Sequence, residues 1–255
     1  MILEGDFRRD GAVCARGLVD PALLDDAAAA IEAVLADPSP LAIRASADDD
    51  GAFVEDFCNW SRVPVLESFI RRCEGSRVAA ELLDSRAIRL YHDHILVKEA
   101  GTTQRTPWHQ DQPYYNVDGH HGVSMWLPVD AVPRRSSLEV VAGSHRGPWF
   151  VPRTFLGHEA RWFPEGTLAE LPDYDADPPR ILGWDLEPGD AVFFHFAAVH
   201  GAAGSDARRR VLSVRYIGDD IRYAPRPWRT SPPFDGIDRV LVAGAPLDHP
   251  WFPRL

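Results

Sequence analysis

The feature that most constrains this chain is a change of hydrophobic period at about residue 86. Beyond it, "AIRLYHDHILVK", "GVSMWLPVDAV", "SLEVVAG", "DAVFFHFAAVH" and "RRVLSVRYIG" alternate between apolar and polar residues, and turn sequences such as "VDGHHG" and "EPGD" separate them. A period of two puts successive side chains on opposite faces of a sheet, so each segment predicts a short strand. Before residue 86 the period is helical. "VDPALLDDAAAAIEAVLAD" predicts a helix capped by Asp20, with Pro21 in its first turn and an apolar stripe of Leu24, Ala27, Ile31 and Val34/Leu35. A second helix is predicted over roughly 64–83, where Leu66, Phe69, Ile70, Val78 and Leu82 recur at steps of three and four. The acidic "RASADDDGAF" between them reads as a loop.

Helices followed by many short strands predict a mainly β fold with flanking helices (α+β), a sandwich or jelly roll with the helices packed outside. No linker or repeat divides the 255 residues, a length ordinary for one jelly roll with added helices. The expected organisation is therefore a single domain over 1–255, helical over roughly 1–85, with a strand core over roughly 86–225. The Pro-rich segment 150–182 is expected to be a loop insertion that closes over a site.

Charge narrows the partners. The formal net charge is −11 and the basic residues are scattered, whereas binding phosphates needs a concentrated positive face. Nucleic acid and anionic membrane are thus not expected, and a small-molecule substrate is. Cys14, Cys58 and Cys73 are odd in number and far apart, forming neither a disulfide framework nor a CxxC pair. That usage fits a reducing cytoplasm. "MILEGDFRRDG" has no apolar stretch behind a basic end, as a signal peptide would. No apolar run approaches the ~20 residues that span a bilayer.

"TPWHQDQPYY" sets His109 and Asp111 two positions apart, on one face if the segment is a strand. An imidazole beside a carboxylate suits iron(II), manganese or zinc. The segment "FFHFAAVHGAAG" offers two histidines as a third ligand. His200 ends an apolar run before a Gly-rich turn, where a side chain can reach a cavity; His195 lies among phenylalanines and reads as a packed core residue. Two histidines and a carboxylate make the facial triad of non-haem iron oxygenases, although an HxD pattern alone also arises by chance. A triad with open positions needs a co-substrate. "ARRRVLSVRY" opens the next strand with arginines, one of which can face the same cavity and clamp a dicarboxylate.

Taken in order, "FRRDGAVCARGLVDPALL", "WHQDQPYYNVDG", "SMWLPVDAV", "LEVVAGSHRG", "LEPGDAVFFHFAAVHGA" and "RRRVLSVRYIGDD" resemble the phytanoyl-CoA dioxygenase family of iron(II)- and 2-oxoglutarate-dependent oxygenases over nearly the whole chain. The resemblance implies a double-stranded β-helix (a cupin-like jelly roll), Fe(II), 2-oxoglutarate and O2 as cofactors, and His109, Asp111 and His200 as metal ligands. It implies Arg209, seven positions before Tyr216, as the grip on the distal carboxylate of 2-oxoglutarate, and Lys98 as a second contact. Trp126 and Gln110 match further pocket positions, and Ser213 shares a strand face with Arg209. Tyr114, Tyr115, His121, Trp149 and the tail "YAPRPWRTSPPF" are expected around the substrate, with Arg222 and Arg226 on the solvated surface.

The implied reaction is hydroxylation of an unactivated C–H bond in a small molecule, with release of succinate and CO2. Asp111 favours hydroxylation over halogenation, since related halogenases lack that carboxylate. The net negative charge disfavours a polyanionic CoA thioester as substrate. This chain departs from the family at Ser136-Ser137, where an Asn-Gly turn is frequent, and at Ala202, where a serine often follows the distal histidine and glycine. Two other classes compete: a metal hydrolase or isomerase on the same jelly roll, which would not need Arg209 with Lys98, and a non-catalytic binding protein, in which a buried triad would be a cost without metal.

Overall fold

The computed structural model describes residues 1–152, 168–174, 176–177 and 179–255. In chain order its strands are β1 (Ile2–Gly5), β2 (Ala12–Arg16), β3 (Ile43–Arg44), β4 (Phe53–Phe57), β5 (Arg89–Lys98), β6 (Thr106–His109) and β7 (Val117–Asp118). They continue with β8 (Gly122–Pro128), β9 (Leu138–Val141), β10 (Ile181–Leu182), β11 (Ala191–His195), β12 (His200–Ala202), β13 (Arg209–Ile217) and β14 (Arg222–Tyr223). The helices are α1 (Phe7–Asp10), α2 (Pro21–Ala36), α3 (Pro64–Arg72) and α4 (Gly75–Leu83).

An eight-stranded sheet, ordered β1-β2-β11-β8-β13-β5-β4-β3, lies against a four-stranded sheet ordered β10-β9-β12-β6, and β14-β7 form a separate pair. Apolar side chains from both sheets interlock between them: Trp126, Val192, Phe194 and Val211 from the larger meet Leu138 and Val140 from the smaller. This is the expected double-stranded β-helix. β13 shows how alternation builds it. Leu212, Val214 and Tyr216 join the cluster that also buries Ala27, Ile31 and Val34 of α2 with Leu66 and Phe69 of α3. The alternate residues Arg209, Ser213 and Arg215 point the other way, toward the space between the sheets.

Helix α2 begins as predicted: Pro21 occupies its first turn and the Asp20 carboxylate accepts from Leu23 N at 3.0 Å. Its buried stripe is Leu23, Ala27, Ala30, Ile31 and Val34, with Leu24 and Leu35 only partly covered. The single helix expected over 64–83 is two, broken at Cys73 and Glu74. The break lets Gly75 sit directly on the sheet, where a Cβ would lie 2.5 Å from Tyr216 Oη and 2.8 Å from Met125 Sδ.

Three other expectations need correction. Residues 1–85 are not only helical, since they supply β1 to β4. The alternation of β4 is masked because two of its buried residues, Glu55 and Asp56, are acidic. "DAVFFHFAAVH" is two strands in different sheets, not one. The chain leaves β11 through a turn closed by Ala198 N donating to His195 O at 2.8 Å, and β12 starts afresh at His200. The insertion proposed over 150–182 ends in strand β10, which pairs with Val140 and Val141. Its residues 153–167, 175 and 178 lie outside the described residues. Among the described residues, no helix is long and apolar enough to cross a membrane.

Candidate metal centre and its cavity

Antiparallel pairing of β12 with β6 sets His200 opposite His109. Asp111 does not share the strand of His109, as the spacing suggested. β6 ends at His109, and Asp111 takes helical backbone angles (φ −71°, ψ −42°) at the start of a 3₁₀ turn, Gln112–Tyr114. That turn swings the carboxylate back toward the two imidazoles. Nε2 of His109 and Nε2 of His200 each lie 3.8 Å from Asp111 Oδ1. Ligand atoms of all three residues fall within 4.8 Å of one another.

Hydrogen bonds prepare each group to bind a cation. Nδ1 of His109 lies 2.8 Å from Pro107 O, and Nδ1 of His200 lies 2.9 Å from Ala198 O. A carbonyl can only accept, so both Nδ1 atoms carry the proton and both Nε2 atoms keep a lone pair. Burial depresses the pKa of both imidazoles, that of His200 to about 3, so both are neutral. Burial pushes the Asp111 carboxyl up, but the Arg215 guanidinium, helped by the hydrogen bond from Ser124, outweighs it and holds the group at about 2. Its second oxygen, Oδ2, accepts from Ser124 Oγ at 2.8 Å and faces Arg215 Nη2 at 3.5 Å, leaving Oδ1 toward the histidines. Two neutral nitrogens and one ionised oxygen form the donor set of a divalent transition metal, so these residues fit iron(II).

The triad opens on a partly enclosed cavity walled by side chains from both sheets. Arg209 lines it and is 4% exposed. Its Nη1 donates to Ser136 O, while Nε has no hydrogen-bond partner, and the guanidinium carbon sits 5.5 Å from the Trp126 ring. Among the described residues no acid pairs with it, and burial lowers its pKa to about 10 without a countercharge to offset it. Its neighbours differ. Arg208 pairs with Glu32 and Glu99, and Arg210 with Asp130 and Glu32. The Ser136-Ser137 departure thus falls where a backbone carbonyl orients this guanidinium.

The other expected site residues divide. Trp126, Tyr114 and Tyr115 line the cavity. Lys98 does not: its Nζ donates to Gln104 O at 2.6 Å and Ala203 O at 3.0 Å, tying the segment before β6 to the segment after β12. Burial, with Arg209 adding to it, pushes the Lys98 pKa down to about 6. Gln110 is also committed to backbone, donating to Pro148 O and Ala197 O and accepting from Phe150 N. Ser213 donates to Met125 O at 2.9 Å. His121 stands beside Asp220, with Nδ1 3.8 Å from Oδ1, away from the cavity lining. Trp149 lines a different cavity, with the Arg226 guanidinium 5.2 Å from its ring. Arg222 is exposed as expected, whereas Arg226 is not a free surface group: it donates to Tyr115 O and Val117 O and pairs with Asp118. Of the tail, Ser231 reaches the cavity.

His195 is not part of the triad. Its Nε2 lies 2.7 Å from His120 O and its Nδ1 accepts from Ala197 N at 3.0 Å, so both nitrogens are used. Sequence reasoning missed Arg215, Ser124, His94, Glu55 and Phe57. Arg215 and Ser124 were within reach, because steps of two along β13 and β8 place them on the faces of Arg209 and Trp126.

Comparison with known proteins agrees with this geometry. Residues 7–211 match the family Phytanoyl-CoA dioxygenase (PhyH). The chain is 33% identical over 128 residues to a probable phytanoyl-CoA dioxygenase of Caenorhabditis elegans, covering 47% of this chain and 38% of that protein. It is 30% identical over 129 residues to the peroxisomal phytanoyl-CoA dioxygenase of Rattus norvegicus, covering 48% of this chain and 36% of the other. These matches span under two-fifths of those relatives' lengths. Among solved structures, the non-heme alpha ketoglutarate dependent carbocyclase SnoK from nogalamycin biosynthesis superposes with a TM-score of 0.76 at 25% identity, over 98% of this chain and 93% of that one. The epimerase SnoN, solved with Fe3+, alpha ketoglutarate and nogalamycin RO, shares the fold at a TM-score of 0.73 and 22% identity, over 97% and 95%. The match over 7–211, joined to a His-Asp-His cluster at the expected positions, establishes that this chain belongs to the phytanoyl-CoA dioxygenase (PhyH) family.

Proposed function

We propose that the protein is an iron(II)- and 2-oxoglutarate-dependent oxygenase that hydroxylates an unactivated C–H bond of a small molecule. The observation that carries this reading is Arg209, a buried cation beside the triad with no acid pairing it among the described residues. Such a group calls for an anion, and the distal carboxylate of 2-oxoglutarate supplies one in a geometry suited to a guanidinium fork. A zinc hydrolase or isomerase has no use for it.

His109, Asp111 and His200 would hold the iron. Iron(II) with 2-oxoglutarate supplies oxidation of a C–H bond by O2, with succinate and CO2 as coproducts. The chain contributes orientation. Ser124 and Arg215 fix Asp111 so that one oxygen faces the metal position, and two backbone carbonyls fix the imidazole tautomers. Trp126, Leu138 and Phe194 wall the same cavity with apolar surface, which keeps bulk water from the reacting atoms.

SnoK and SnoN are named a carbocyclase and an epimerase, so the fold also hosts ring closure and stereochemical inversion. Product mass separates these outcomes, since hydroxylation adds an oxygen, ring closure removes a pair of hydrogens, and epimerisation changes neither. The co-substrate reading is tested by calorimetric titration of 2-oxoglutarate into the Mn(II)-loaded protein. Arg209→Ala is expected to weaken binding by on the order of 2–5 kcal/mol, the loss typical of a buried charge pair. Arg208→Ala, already satisfied by surface acids, should leave the affinity unchanged. Equal affinities for the two variants would overturn the assignment.

A further inference from the structure

The β4–β5 side of the same cavity carries polar groups that neither metal nor 2-oxoglutarate requires. Glu55 and Phe57 alternate inward from β4, and His94 is paired in register with Phe57 on the neighbouring strand β5. His94 is 6% exposed and Glu55 3%. Nε2 of His94 stands 3.6 Å from Glu55 Oε1, outside hydrogen-bond range, and has no hydrogen-bond partner among the described residues. Phe57 stacks on the imidazole at a centroid distance of 3.9 Å and an interplanar angle of 21°, which fixes the plane in which Nε2 lies.

A buried polar nitrogen left without a partner costs stability, and leucine or phenylalanine would pack here without that cost. The cost is recovered when a ligand supplies the missing group. What fits is set by the chemistry of the pair. A carboxylate can only accept, and a group inserted beside it must bring a proton while also meeting Nε2. A hydroxyl satisfies both at once, donating to Glu55 and bonding to His94. An incoming carboxylate or phosphate would instead face Glu55. Arg215, a cation of the same wall, faces Asp111 Oδ2 through Nη2 at 3.5 Å and donates through Nε to Tyr115 Oη at 3.1 Å, so that only its Nη1 has no hydrogen-bond partner among the described residues. Phe57 and Tyr114 add flat apolar surface to the lining.

We propose that His94 and Glu55 are the substrate-selecting pair of this cavity, and that they take a hydroxyl group carried on an uncharged ring rather than an anionic acyl compound. The inference rests on the oxygenase reading, because the cavity is a substrate pocket only if the triad performs the chemistry. It assigns His94 and Glu55 to selection, with no part in holding the metal.

The test uses the protein loaded with Mn(II) and 2-oxoglutarate without O2, titrated calorimetrically with naphthol, methylnaphthalene and naphthoate. The wild type is expected to bind naphthol about tenfold or more tighter than methylnaphthalene, the worth of a hydrogen bond to a charged acceptor, and naphthoate weakest. Glu55→Gln and His94→Phe should each erase most of that preference, and His94→Gln, which keeps a hydrogen-bonding amide, should retain part of it. Affinity for 2-oxoglutarate, measured on the same preparations, should not change in any of them. Absence of a naphthol preference in the wild type, or a preference that survives both Glu55→Gln and His94→Phe, overturns the inference. Failure of the wild type to bind 2-oxoglutarate strikes the oxygenase reading instead, so the two failures are distinct.

Discussion

His195 and His200 are five positions apart in one apolar run, and they separate the two histidine roles of this chain. His200 keeps Nε2 open toward Asp111, whereas His195 spends both nitrogens on backbone. Their positions in the sequence, one before a glycine turn and one among phenylalanines, already pointed that way. Burial depresses the pKa of His195 from 6.5 to about 4, against the opposing pull of its bond to His120. A folded-state pKa below the unfolded one adds stability that is complete above pH 6.5 and lost as pH falls through about 4. His195→Gln should therefore flatten the acid side of the stability curve by up to one proton, about 1.4 kcal/mol per pH unit, with metal affinity unchanged. Urea unfolding at a series of pH values measures this; parallel curves for variant and wild type, or loss of metal, would return His195 to the ligand set. What could not be read at this scale was Asp111. An HxD spacing suggests a shared strand face, and only the helical backbone at Asp111 shows that a turn brings the carboxylate in.

Elements whose two faces differ sharply in polarity were legible, and those whose residues serve two environments were not. Strands β5, β8 and β13 follow their alternation, and α2 follows its cap and stripe. The helix predicted over 64–83 keeps its period through the break at Cys73 and Glu74, so the pattern alone could not reveal two helices. Likewise the apolar run from β11 into β12 hides a change of sheet, because both halves are buried. Lys98 and Gln110 were expected in the pocket but brace the segments around it, a role that their polarity does not distinguish from ligand binding. The Gly75 contact gives an element-scale test. Gly75→Ala should destabilise the fold by about 1–3 kcal/mol, the usual cost of forcing atoms into a packed site, with 2-oxoglutarate affinity unchanged. Denaturant unfolding reads the shift, and an unaffected midpoint would mean that α4 does not rest on Tyr216 and Met125 as described.

At the scale of the whole molecule, two sheets from distant parts of the chain meet so that one cavity collects His109, Asp111 and His200 from β6, the following turn and β12, Arg209 from β13, and Glu55 and His94 from β4 and β5. The family likeness made the first two parts legible, since they are carried by ordered motifs. The third was not, because Glu55 lies in a region whose sequence reads as loop and helix. Both the triad and Arg209 can be examined together without knowing the substrate. Under anaerobic conditions, iron(II) and 2-oxoglutarate added to the protein should produce the weak visible charge-transfer band of a keto acid bound at iron. The band should be absent for Asp111→Ala, which removes the only anionic member of the triad, and should require much higher 2-oxoglutarate for Arg209→Ala. Wild-type protein that binds iron(II) at the triad yet shows no band at saturating 2-oxoglutarate would contradict the account.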